Sequence, residues 1–255
     1  MTMNKFPAAH GALLALLAAL LFGASTPLIQ RVGFGVSAWM TAALLYSGAA
    51  LAGLLLRSGI TREAALRRRH LPRLLLMALC GAVIGPVALS WGLQHTSGLS
   101  ASLMLTLEAV FTVLLSCLLY HEHIDRRVGL AIVLLAVGGG LLVFDRVENG
   151  ATQVIGLLAV LGATVSWALD NTLSRVLADL DPGRVILGKA TVGAACSFLI
   201  AIVTGETNLS LVAGVSLFLI GALGYGLTLS HQLSVIWTLL HPKPKPLRSP
   251  IPFTR

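Results

Sequence analysis

Charge is what this sequence has least of. Only 11% of its 255 residues are Asp, Glu, Lys or Arg, against about a quarter in a soluble domain, which excludes an ordinary water-facing surface. Aromatic residues are sparse too, at 6%, while 56% of the chain is hydrophobic and the mean hydropathy is +0.88. The apolar excess is therefore Leu, Ala, Val and Gly, a mix that lets helices approach closely in lipid. Cysteine is nearly absent: Cys80, Cys117 and Cys196 each lie inside an apolar run. They lack metal-ligand spacing and three cannot all pair within one chain, so they read as small buried hydrophobes. The net charge of +8 would point to nucleic acid in a soluble protein. Here the charges fall in short runs between apolar stretches, so they read as membrane topology signals, with the lipid bilayer and not nucleic acid as partner.

What is present is a series of apolar runs. A spanning helix needs about 20 mostly apolar residues, and the sequence predicts eight, near 12–30, 36–56, 74–94, 100–119, 128–144, 154–176, 185–204 and 211–230. The fold class expected is an all-α polytopic membrane bundle. Lys5 and the small residues Gly23-Ala24-Ser25 resemble a signal peptide, but the apolar run continues to Ile29, so a retained first helix is expected. With the N-terminus in the cytoplasm, only Arg31 and Arg146 of the 18 Lys and Arg residues fall outside, and Arg57 to Arg73, Arg126, Arg127, Arg175, Arg184, Lys189 and the basic tail fall inside. That asymmetry is the positive-inside pattern of an inner-membrane protein. The run Arg67-Arg68-Arg69 reads first as part of it and second as a contact for acidic lipid heads.

An internal repeat is visible. A shift of 145 residues lays Gly11, Leu13, Leu16, Phe22 and Leu28 on Gly156, Leu158, Leu161, Trp167 and Leu173, and Gly48-Ala49-Ala50 on Gly193-Ala194-Ala195. A slightly shorter shift lays Gly81-Ala82 on Gly221-Ala222. The offset spans five helices, so the second copy enters the membrane the other way up, as in secondary transporters whose sites lie between the halves. The organisation expected is a first five-helix repeat over 1–145, three helices of a second over 150–230, and a Pro-rich basic tail over 231–255. Five of the ten prolines crowd that tail, at 242, 244, 246, 250 and 252, which excludes a helix there. The expectation is a second repeat cut short near residue 230; the alternative is a natural tail on a true eight-helix protein.

Over about residues 10–230 the chain resembles the EamA-type transporters of the drug/metabolite transporter superfamily. Helix 3 runs into helix 4 through Gly85-Pro86-Val87-Ala88-Leu89-Ser90-Trp91-Gly92-Leu93-Gln94-His95-Thr96, similar to that family's small-residue helix and following turn. Thr106-Leu107-Glu108-Ala109-Val110-Phe111-Thr112 resembles its x-x-E-P-V-F-T stretch, with Ala109 in place of the proline. His121-Glu122 stands where a Gly-Glu is frequent, Gly129 and Gly138 match the next helix, and Ser166-Trp167-Ala168-Leu169-Asp170-Asn171 resembles the start of the second copy. The resemblance implies a ten-helix carrier, often an exporter, for small metabolites such as amino acids or drugs, with proton coupling common. Nothing here resembles that carrier's last two helices.

Glu108 is the leading site residue, about nine residues or roughly 13 Å into helix 4. A carboxylate at that depth is costly and usually faces a cavity. A Glu protonated when one side is open and ionised otherwise couples protons to substrate, or pairs with a substrate amine; the structural alternative is a protonated Glu bonding a neighbouring helix. Asp170 and Asn171 line an inner vestibule, cap a kink, or pair with Arg175 about one turn on. Trp91 and Trp167, placed near the central cavity by the repeat, stack on substrate or fill helix interfaces. Trp39 reads as interfacial belt, and Ser25-Thr26-Pro27 as a polar, kinked stretch of helix 1. His121-Glu122-His123 has the wrong spacing for one helix face and is not expected to hold metal. Gly138-Gly139-Gly140 lacks the Lys and strand of a phosphate loop, so no cofactor is implied, and Gly81 with Gly85 forms a GxxxG contact.

The function expected is a secondary transporter of small molecules, exporting and driven by the proton gradient. An intramembrane enzyme using Glu108 and Asp170 is the second class, disfavoured because the pair counts as far apart in depth and no nucleophile accompanies it. An inactive or partner-dependent membrane protein is the third, with a homodimer as one way to complete the bundle.

Overall fold

The computed structural model describes residues 7–56, 70–147, 150–175 and 182–227. The inner loop with Arg67-Arg68-Arg69 and the tail over 231–255 lie outside the described residues. Within them the chain is helical, in the order the sequence predicts: α1 (Pro7–Val32), α2 (Ala38–Leu56), α3 (Leu71–His95), α4 (Gly98–Tyr120), α5 (Arg126–Val147), α6 (Ala151–Ser174), α7 (Pro182–Val203) and α8 (Leu211–Ile220, continued by Gly221–Leu227). Six of these, α2 to α7, are long and apolar enough to cross a membrane. The expected all-α polytopic bundle is what the chain forms.

Burial is arranged for lipid. Leu13, Leu16, Leu20, Leu130, Leu134, Leu199 and Leu211 are exposed, while Ser25, Thr26, Thr41, Thr164, Thr172, Ser197, Asp170 and Lys189 are buried. Water would favour the reverse; hydrocarbon accepts leucine outside and leaves the polar side chains to find partners within. From Arg126 to Val143, α5 has no buried residue and forms an outer wall.

Small residues set the close crossings. A Cβ on Gly48 of α2 would strike the backbone of Phe218 and Ala222 in α8, and one on Gly221 would strike Leu45 in α2. Between α7 and α3, a Cβ on Gly193 would strike Ala82. Lipid tails supply no hydrophobic drive to hold helices together, so this backbone proximity carries the packing. Gly48→Val is expected to lower the thermal midpoint of the purified protein, at a cost of about 1–3 kcal/mol for forced overpacking. Gly138→Val, with nothing within 4 Å of the added carbon, is the control that leaves it in place.

α3 and α8 both widen into π-helical turns, over Leu79–Ile84 and Gly221–Leu227, which the sequence reading did not anticipate. In α3 the Gly85 N–H bonds the Cys80 carbonyl, five residues back. The same register would give Gly81 the N–H of residue 86, but that residue is Pro86, which has none. The orphaned Gly81 carbonyl is therefore free for side chains of other helices. Two features of α1 and α4 complete the frame. Gln30 donates to the Leu93 and Thr96 carbonyls at 3.0 and 2.8 Å and accepts from the Gly98 N–H at 2.9 Å, tying α1 to the α3–α4 turn. At Thr106 the α4 backbone tightens to a Leu103 carbonyl bond, placing Glu108 in the first turn of the segment that follows.

Candidate functional site

Three side chains near the end of α6 each reach a different helix. Trp167 donates its Nε1–H to the Gly81 carbonyl of α3 at 2.9 Å, the same oxygen that accepts the Tyr46 hydroxyl from α2. Asp170 forms a buried ion pair with Lys189 of α7 through Oδ2. Asn171 donates Nδ2–H to Glu108 Oε1 of α4 at 2.6 Å. The glycines of α3 make this possible: a Cβ at Gly81 would occupy the Asp170 carboxylate and one at Gly85 the Trp167 ring. The expected GxxxG contact is thus a cradle for two side chains of α6.

Aromatic rings close the centre. Phe22 of α1 meets Trp167 at 5.8 Å and Tyr225 of α8 at 5.5 Å, and Tyr225 meets Tyr46 at 5.7 Å and Trp167 at 6.3 Å, all edge to face, the arrangement the ring quadrupoles favour. Two buried oxygens here, Asp170 Oδ1 and Tyr225 Oη, have no hydrogen-bond partner among the described residues. Buried acceptors and donors left unpaired are costly.

Of the residues singled out by sequence, Glu108, Trp167, Asp170 and Asn171 come together, and Trp91 does not join them. Trp91 is 39% exposed and stacks on His95 at 4.0 Å. It stands six positions after Gly85, about 240° around the helix, so it faces away when Gly85 faces α6. Asp170 does not pair with Arg175, five positions on and about 140° around. Arg175 instead bonds Glu122 at 2.7 Å, both half-exposed, and lies over the Tyr120 ring at 5.5 Å. Glu108 is joined to α6 through Asn171, the residue after Asp170, while Asp170 itself pairs with Lys189. Lys189, counted by sequence as an inside loop cation, is 5% exposed within α7. Tyr46 and Tyr225 were not anticipated; only their lone hydroxyls amid apolar helices signalled them.

Compared with known proteins, residues 9–144 match the EamA-like transporter family. A protein of Methanothermobacter thermautotrophicus (strain Delta H), described as an uncharacterized transporter, is 34% identical over 170 residues, which are 62% of this chain and 49% of that one. The chain thus spans about half the length of that relative. A solved crystal structure, described only as that of a protein, shares the fold at TM-score 0.62 and 22% identity, over 91% of this chain and 87% of its own.

Proposed function

This chain belongs to the EamA-like transporter family, and from that premise we propose that it is a secondary transporter. Its kinship is with transporters and not with enzymes, and it is a multi-pass membrane protein. On this reading it moves small metabolites or drugs across the inner membrane, with its N-terminus in the cytoplasm, exporting them at the expense of the proton gradient. The observation that carries it is the buried polar centre, where α6 pairs its Asp170 with Lys189 of α7 and bonds Glu108 of α4 through Asn171, with Trp167 of the same helix among aromatic rings. Ionisable groups are kept inside a membrane for ion or substrate passage.

The inverted-repeat organisation belongs to the same proposal. Gly48 of α2 abuts Gly221 and Ala222 of α8, and Gly193 of α7 abuts Ala82 of α3. These are the residues that the repeat superposes, meeting in two crossings with the halves exchanged. On this reading the polar centre holds the substrate, as secondary transporters do between their halves. A homodimer is part of the proposal too, with exposed α5 as a face available to the second copy.

The test is flux. Purified protein in vesicles under an imposed pH gradient is expected to accumulate at least one member of a panel of radiolabelled amino acids and organic amines above protein-free vesicles. Accumulation that ignores the gradient removes the proton coupling, and a panel with no flux removes transport by this chain.

A further inference from the structure

We infer that the molecule has a second site, apart from the polar centre, that takes a neutral hydroxyl group, of water or of a small solute. It lies between α1, α2 and α3, at the end where the α1–α2 and α3–α4 turns meet. Thr41 of α2 and Ser90 of α3 line a cleft there with Gln30, Gly33 and Gln94. Ser90 stands five positions after Gly85, about 140° around α3. The cleft is therefore on a different face of α3 from the one that Gly85 turns to Trp167.

The two hydroxyls carry the inference. A Ser or Thr inside a helix can bond the carbonyl four residues back, and Ser47, Ser102, Thr164 and Thr172 all do so at 2.7 or 2.8 Å. Thr41 and Ser90 leave that bond unmade. They are 1% and 3% exposed, and neither hydroxyl has a partner among the described residues. Gly33 keeps the space over Thr41 clear: a Cβ there would stand 3.6 Å from its Oγ1. Buried hydroxyls without partners are costly, so the cleft calls for a group that donates and accepts at once. None of the lining residues is titratable. A charged ligand would find no counter-charge, and the cost of burying it selects a neutral one.

Two carboxamides hold the cleft shut. Gln30 reaches from α1 to the α3–α4 turn. In return, Gln94 of α3 donates Nε2–H to the Val36 carbonyl in the α1–α2 turn at 2.9 Å. With these ties made, the cleft is too narrow for a water molecule. Closure keeps the carboxamide bonds and leaves two hydroxyls unpaired; opening gives the hydroxyls a partner and loses carboxamide bonds. Each term is one hydrogen bond of small net worth, so the two forms stay close in free energy. The ligand enters as the ties part.

Thiol modification of the purified full chain tests this. Ser90→Cys is treated with 2-hydroxyethyl, propyl and trimethylammonioethyl methanethiosulfonate, and each cysteine is followed separately by peptide mass spectrometry. Exposed Cys196 reports how each reagent partitions, and buried Cys80 reports unfolding. Relative to Cys196, the hydroxyethyl reagent is expected to modify the introduced thiol about fivefold faster than the propyl reagent, the cationic one being slowest. Adding Thr41→Val is expected to remove that preference. Adding Gln94→Met is expected to raise the hydroxyethyl rate about tenfold without exposing Cys80. Should Ser90→Cys not fold, Thr41→Cys with Ser90→Ala as its partner variant reads the same preference from the other side. A hydroxyethyl preference identifies a solute hydroxyl as the ligand. No preference, beside a Thr41→Val variant of otherwise natural sequence that lowers the thermal midpoint, identifies water, because valine deprives a bound water of a partner. No preference with an unchanged or raised midpoint overturns the inference, as does a preference for the cationic reagent. A rate that ignores Gln94→Met refutes closure by the carboxamides.

Discussion

Glu108→Gln is expected to abolish gradient-driven accumulation while leaving the fold intact. Glutamine keeps an Oε1 carbonyl where Asn171 Nδ2 donates at 2.6 Å, so the α4–α6 hydrogen bond survives. What disappears is the ability to hold a proton at one moment and a charge at the next. A substrate ammonium also loses its carboxylate, and a hydrogen bond to a charged group contributes about 1.5–3 kcal/mol. The apparent affinity is then expected to fall about 10- to 100-fold, and the residual flux to ignore the pH gradient. Matching thermal midpoints for variant and wild type, beside lost accumulation, establish that the carboxylate acts in transport. Unchanged accumulation would return Glu108 to the structural alternative, a side chain that bonds α6 and nothing more.

The sequence carried the helices and half of the centre, for a physical reason. A carboxylate inside an apolar run is costly wherever it points, so Glu108 and Asp170 stand out without knowledge of neighbours. Trp167 and Asn171 are legible by adjacency, because residues three and four apart share a helix face. Lys189 was hidden by position. It sits early in α7 (Pro182–Val203), close enough to Arg184 to pass for another loop cation, and only the approach of α6 shows that it is buried. Tyr46 and Tyr225 are hidden by chemistry, since a phenol among leucines costs little until its hydroxyl has to be placed. The π-helical turn in α3 was half visible. Pro86 announces that some carbonyl loses its helical partner. That the carbonyl is Gly81's, and that two side chains from other helices take it up, depends on contacts no single helix encodes.

Lys189→Met alone is expected to destabilise the protein by about 3–5 kcal/mol, the usual cost of removing one member of a buried ion pair. Asp170 is 3% exposed, and one of its oxygens already lacks a partner among the described residues, so losing the ammonium strips the carboxylate of its donor on the other oxygen as well. Removing both charges together, Asp170→Asn with Lys189→Met, is expected to restore most of that loss, because replacing a whole buried pair by neutral groups of similar volume is often close to neutral. The double-mutant cycle isolates the coupling, read as thermal or denaturant midpoints in one detergent. If the single and double variants lose equal stability, the two side chains do not depend on each other and the pair is incidental to the bundle. If stability returns in the double variant but gradient-driven flux does not, the pair is held in the membrane for its charge chemistry and not for the fold. That outcome fits the energetics: a centre built only for stability would gain by being apolar, and Gly81 makes room in α3 for a carboxylate instead.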